Sequence, residues 1–221
     1  MKATLAVLLV IIAAFAARLL LSPPTDNTVG KPVQGLPWQI EVLADGTAKV
    51  SGLTVGASTL ADARDRFGRD VEVALVAAPG EVGDLEAFFQ DVTFGAVAGK
   101  LIVTADIDPA KIGPMRERAI KVDYMKSSTK QWTLSADDLA AAYAAPIRTL
   151  TFIPAVDLDE QIVLQRFGKP AERIRVSDHS EHFLYPERGL DVILDSNGKE
   201  VLQYVAPKRF AELRAPLMAK H

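Results

Sequence analysis

Arg66-Phe67-Gly68-Arg69 returns one hundred positions later as Arg166-Phe167-Gly168-Lys169, and the surrounding residues return in step. Glu72 and Val76 meet Glu172 and Val176, Asp91 and Val92 meet Asp191 and Val192, and Gly99-Lys100 meets Gly198-Lys199 once one residue is dropped from a turn. In each copy the repeated glycine closes a helical pattern. Leu60, Ala63 and Phe67 stand at helical spacing behind a Ser58 or Thr59 cap; Leu158, Ile162, Val163 and Phe167 do so behind Asp157. A glycine just past the last periodic residue takes the left-handed conformation that ends a helix at low cost.

Beyond each glycine the period changes from helical to two. In the first copy, residues 71–76, 85–94 and 100–107 read as antiparallel strands, with Phe88, Val92 and Phe94, then Leu101, Val103, Ala105 and Ile107, as buried faces. The second copy reads as strands at 172–176, at 182–185 continuing past Pro186 into 190–194, and at 200–205, with Asn197-Gly198 as the last turn. Ahead of the first copy, 39–43 and 47–53 flank Asp45-Gly46, a hairpin signal. Between the copies, 108–119 and 135–145 read as helices around a strand at 130–134, and 148–152 as the strand leading into the second copy. The tail from Pro207 is a short helix with Phe210, Leu213 and Leu217 on one side.

These patterns predict an α+β protein: two tandem repeats of a short helix or helix pair packed on an antiparallel meander, preceded by an N-terminal membrane helix. Residues 3–17 are apolar except Thr4, with Lys2 before them and Arg18-Leu19-Leu20-Leu21 after. The run from 3 to 21 is near the roughly 20 residues that cross a bilayer. The small-x-small triplet Ala14-Phe15-Ala16 offers a signal-cleavage reading instead. The anchor is preferred, because cleavage would leave three leucines near the new terminus. The expected divisions are therefore an anchor or uncleaved signal at 1–21, a flexible tether at 22–36, repeat one at 37–120 and repeat two at 121–221. The expected location is the inner membrane, single-pass, with the folded part in the periplasm; the alternative is secretion to the periplasm after cleavage.

The chain has 221 residues, a formal net charge of −3 and no cysteine. Scattered Lys and Arg give no electrostatic footprint for nucleic acid. Lack of cysteine removes disulfides, thiol nucleophiles and zinc–thiolate sites. Asp178, His179, Glu181 and His182 gather two of the three histidines, yet in an extended strand His179 and Glu181 point opposite to Asp178 and His182. Gly95-Ala96-Val97-Ala98-Gly99-Lys100 has three residues where a phosphate loop needs four, and Leu101 where that loop needs a hydroxyl. Ser58 lacks the second glycine of a nucleophile elbow.

The order helix, aromatic-glycine, three-stranded meander resembles the small outer-membrane-assembly lipoproteins of the BamE/SmpA type, and tandem copies resemble the β-lactamase inhibitor protein-like fold. The likeness is closest in Arg166-Phe167-Gly168-Lys169-Pro170, Tyr185-Pro186-Glu187-Arg188-Gly189-Leu190 and Asp195-Ser196-Asn197-Gly198-Lys199. Copy one departs from it, with Asp70 in place of proline and no Tyr-Pro. The lipoproteins are acylated on a cysteine that this chain lacks, so that part of the likeness does not carry over.

Duplicated structure without a duplicated reactive group predicts a membrane-anchored, exported protein-binding or envelope-assembly accessory, non-enzymatic, without a cofactor and with an envelope protein as partner. Aromatic and polar side chains on sheet faces, namely Phe89, His182, Tyr185 and Tyr204, are the candidate contact residues. One alternative is a metal-dependent enzyme or ligand binder using His179, Glu181 and His182. Another, implied by the resemblance, is an inhibitor of a secreted hydrolase that would present the loop at 77–83.

Overall fold

The alternating segments fold into strands that join in two antiparallel sheets. The computed structural model describes residues 32–125 and 128–218. Strands β1 (Ile40–Val42), β2 (Ala48–Val50) and β3 (Leu53–Val55) form a small three-stranded sheet. Its first turn is the expected Asp45-Gly46, where Gly46 has φ 78° and the Asp45 carboxylate accepts from the Thr47 N–H and hydroxyl.

The remaining strands are β4 (Glu72–Ala77), β5 (Asp84–Phe94), β6 (Val97–Ala105), β7 (Lys121–Tyr124), β8 (Lys130–Thr133), β9 (Ile147–Pro154), β10 (Glu172–Arg175), β11 (Ser180–Tyr185), β12 (Leu190–Asp195) and β13 (Val201–Val205). They form one ten-stranded sheet in the order β10-β11-β12-β13-β9-β6-β5-β4-β8-β7. Among the described residues five short α-helices accompany them: α1 (Leu60–Phe67), α2 (Pro109–Glu117), α3 (Ala136–Ala144), α4 (Glu160–Phe167) and α5 (Ala211–Met218).

The expected α+β architecture of two repeats behind a membrane helix is corrected here. The described residues are mostly antiparallel β, and the two meanders are fused into a single sheet by β9. Leu101 and Val103 of β6 oppose Phe152 and Leu150 of β9 on one side, and Leu202 and Tyr204 of β13 oppose the same two residues on the other. The physical reason is that an unpaired strand edge leaves backbone groups without partners, and a strand placed between the copies satisfies both edges at once.

The expected single-pass inner-membrane location is corrected too: the described residues do not support it. No helix among the described residues is long and apolar enough to cross a membrane; the longest have nine residues against the roughly 20 required. The segment expected as an anchor, 1–21, lies outside the described residues.

Two further readings change. In copy two, 182–194 is not one continuing strand: Pro186–Arg188 is a short 3-10 turn and Gly189 is left-handed (φ 63°), so β11 and β12 fold back as a hairpin. In β5 a bulge between Phe89 and Val92 shifts the alternation, so Phe89 joins Val92 and Phe94 in the core and Phe88 turns to the other face. A bulge inserts an unpaired residue and reverses the facing of everything on one side of it.

One face of the large sheet carries the main core. Helices α1 to α4 and the small sheet cover it, with Leu60, Ile112, Ala142, Val163 and Val55 all buried against strand residues such as Leu85, Val103 and Leu150. The repeated phenylalanines explain the repeat. Phe67 ends α1 and stacks on Phe94, whose ring stacks in turn on Phe152 at 4.3 Å; Phe167 ends α4 and packs on Tyr185 and Trp38. In each copy the aromatic before the glycine pins the helix end to its own half of the sheet. Helix α1 starts with a capping box between Thr59 and Asp62, and α4 with the Asp159 carboxylate accepting from Ile162 N–H.

Candidate functional site

Among the described residues, the second face of the sheet is covered at one end only. Helix α5 lays Phe210, Leu213 and Leu217 over Ile174, Leu184 and Val205. Toward the other end, over β8, β4, β5 and β6, the outward alternation leaves an open groove of about 250 Å³ lined by Val76, Glu86, Phe88, Ile102, Met125 and Gln131, among others. Register places these side chains together: Phe88 opposes Ile102, Val76 opposes Gln131, and Glu86 stands between Ala74 and Thr104.

Glu86 is the chemically distinct member. It makes no hydrogen bond or ion pair among the described residues, and neither cross-strand neighbour is charged. Burial on the sheet floor pushes its carboxyl up to about 7, Asp84 two residues along the same face adds to the rise, and Arg148 opposes it. Arg148 cannot give full compensation because its guanidinium is engaged by the Asp84 carboxylate. Glu72 also lines the groove but is tied to Gln131; the groove therefore offers largely apolar walls around one unpaired acid, Glu86, that is poised between its neutral and charged forms near neutral pH.

The four residues singled out in the sequence lie elsewhere. Phe89 and Tyr204 are each 1% exposed and sit in the main core; Tyr204 Oη donates to the Pro37 carbonyl at 3.0 Å. Tyr185 is also buried, and its hydroxyl donates to the Gly168 carbonyl at 2.9 Å, tying the hairpin to the end of α4. His182 is buried on the second face, where Nδ1 lies 2.7 Å from Asp191 Oδ2. Burial pushes the Asp191 carboxyl up, with the His182 hydrogen bond opposing the rise, and Asp191 Oδ1 has no protein partner. Among the described residues, Asp191 is the hydrogen-bond partner of His182.

The histidine segment disperses rather than converges. His179 Nδ1 is 2.9 Å from Asp195 Oδ1, Glu181 takes Arg173 at 3.0 Å, and His182, of the opposite phase in β11, is held by Asp191, so each side chain is committed to a separate partner. Arg173, first among its causes, holds the Glu181 carboxyl below the usual carboxylate range. Among the described residues no group of three or more His, Asp or Glu side chains could hold a metal ion. The loop following β4 is fastened to α2 by Arg116, whose guanidinium donates to the Val82 carbonyl.

Sequence reasoning missed Glu86 and Phe88 as a site. The signal available was that Asp84, Glu86 and Phe88 share the phase opposite Leu85, Ala87 and Phe89, but without the bulge the phase of β5 could not be set. Comparison with protein-family models, with curated proteins and with solved structures finds no match to this chain.

Proposed function

We propose that this chain is a non-enzymatic binding module and that a protein partner lies in the open groove, setting a basic side chain over Glu86 and apolar side chains against Phe88 and Ile102. The observation that carries this reading is the unpaired Glu86 carboxyl among half-buried apolar neighbours. An apolar floor with one unsatisfied acid rewards a ligand that supplies both an apolar surface and a cation. The resemblance to outer-membrane-assembly lipoproteins points the same way, towards an accessory of protein assembly.

Linkage makes the reading specific. A basic partner takes the proton off Glu86, so affinity rises with pH while the free carboxyl is still protonated. With that carboxyl at about 7, affinity at pH 8 exceeds that at pH 6 by about tenfold. A photo-crosslinking residue at position 102 in the full chain is expected to give one discrete protein adduct in cells of the source. The same residue at Leu164, on α4 and on the helix-covered side, gives none. Once the partner is identified from the adduct, its affinity is measured by calorimetry at both pH values. A Glu86→Gln variant that binds as tightly as the parent, with the same pH dependence, refutes the assignment.

A further inference from the structure

The two ends of the ten-stranded sheet are finished differently. At one end β10 reads Glu172-Arg173-Ile174-Arg175 and is laced to its surroundings: Glu172 binds Arg214 of α5, and Arg173 binds Glu160 of α4 and Glu181 of β11. Such charge blunts an edge against pairing. At the other end β7 has β8 as its only strand partner among the described residues; Val122 (44%) and Tyr124 (71%) are exposed on one face, and Ile120 (73%) is exposed just ahead of the strand. The opposite face of the same strand carries Lys121 and Asp123, 2.8 Å apart.

The backbone phase of β7 is also fixed. Met125 N–H donates to the Thr129 carbonyl at 2.8 Å, continuing the β8 ladder. Alternation in an antiparallel pair then turns the odd-numbered residues of β7 towards β8, and Val122 and Tyr124 direct their N–H and C=O groups outward. Ile120, one residue ahead of the strand, donates back to the Thr133 carbonyl at 3.0 Å.

The sequence Ile120-Lys121-Val122-Asp123-Tyr124 is complementary to itself when reversed. Laid antiparallel against a second copy with Val122 opposite Val122, Lys121 faces Asp123 of the second copy and Asp123 faces its Lys121. Tyr124 comes beside the exposed Ile120 of the second copy and Ile120 beside its Tyr124, an apolar side-chain contact only, since the Ile120 N–H is already held by the Thr133 carbonyl. Every opposition is apolar on apolar or positive on negative, and the central pair is one whose backbone groups point outward. No charged residue of β10 finds such a partner in its own reversed copy, because Arg173 and Arg175 are both basic.

We propose that β7 is a homodimerisation edge: two copies pair antiparallel through residues 120–124 about a two-fold axis at Val122, joining their sheets into one. The pairing is short, so the association belongs to the weak, reversible class. Each copy's groove stays open, because the strand meets its mate edge to edge. The inference stands on the β7 edge and is independent of what occupies the groove.

Sedimentation velocity of the full chain, run as a dilution series up to roughly 0.1 mM, is expected to show a monomer–dimer equilibrium. Val122→Pro removes an outward N–H, a position where an edge strand tolerates proline, and abolishes the dimer while leaving the thermal unfolding midpoint near that of the parent. Asp123→Lys sets like charges opposite each other twice per dimer and weakens association by roughly tenfold or more. Lys121→Asp combined with Asp123→Lys restores opposite charges and restores the dimer. A parent chain that stays monomeric across the series overturns the proposal. So does a Val122→Pro chain that associates like the parent, or a double reversal no better than the single one.

Discussion

Replacing Glu86 by Gln removes a stability penalty that builds as pH rises from about 4.5 to about 7 and is complete above neutral pH. The Glu86 carboxyl sits at about 7 in the folded protein against 4.5 for an unperturbed glutamate. Between those values the folded state keeps the proton and the unfolded chain has released it, so the folded state binds more protons and stability falls as pH rises. Below 4.5 both states are protonated and nothing is lost. Above about 7 both are ionised and the full penalty stands, about 3 kcal/mol. Between pH 5 and pH 8 the change attributable to this group alone is about 2.5 kcal/mol. Urea unfolding of parent and Glu86→Gln at both pH values isolates it, because every other titrating group cancels in the double difference. The variant gains on the parent by that amount as pH goes from 5 to 8. A double difference within about 0.5 kcal/mol of zero refutes the reasoning, since it means that the sheet floor does not desolvate the carboxyl.

Other expectations follow from the same geometry. His182→Ala strands the buried Asp191 carboxyl without its one partner and costs about 3 kcal/mol by urea unfolding, whereas His182→Leu together with Asp191→Leu costs much less. Gly189→Ala is far worse than Gly68→Ala in thermal melts: both glycines have positive φ, but a Cβ at 189 would lie 2.0 Å from the Val205 carbonyl while one at 68 meets nothing within 4 Å. The first destabilises by more than about 3 kcal/mol and the second by about 1 kcal/mol. Phe94→Ala, which opens the stack between Phe67 and Phe152, costs about 3 to 5 kcal/mol.

Local chemistry carried far along this chain. Both repeated glycines end helices, Thr59 caps α1, and Asp45-Gly46 turns the first hairpin, since each is set by residues within a few positions. Errors began where a decision depended on a distant neighbour. The cap of α4 is Asp159 rather than Asp157, since the helix begins at Glu160, and Asp157 instead binds Lys199, forty-two positions away. Strand β7 went unread because its Ile120, Val122 and Tyr124 are apolar yet unburied, and alternation is a signal only when one phase is inside.

The candidate site shows the same division. Residue order alone shows which segments alternate, where helices stop, that a short Arg-Phe-Gly pattern recurs, and that no cysteine chemistry is available. Those are properties of period, turn geometry and residue type. Only the tertiary structure decided that β9 fuses the two meanders, that a bulge exchanges Phe88 for Phe89, and that Glu86 therefore faces an open floor while Tyr185 and Tyr204 vanish into the core. The physical reason is that strand order and burial depend on which backbone edge finds which partner. That pairing is made between residues tens of positions apart, and a period of two is blind to it.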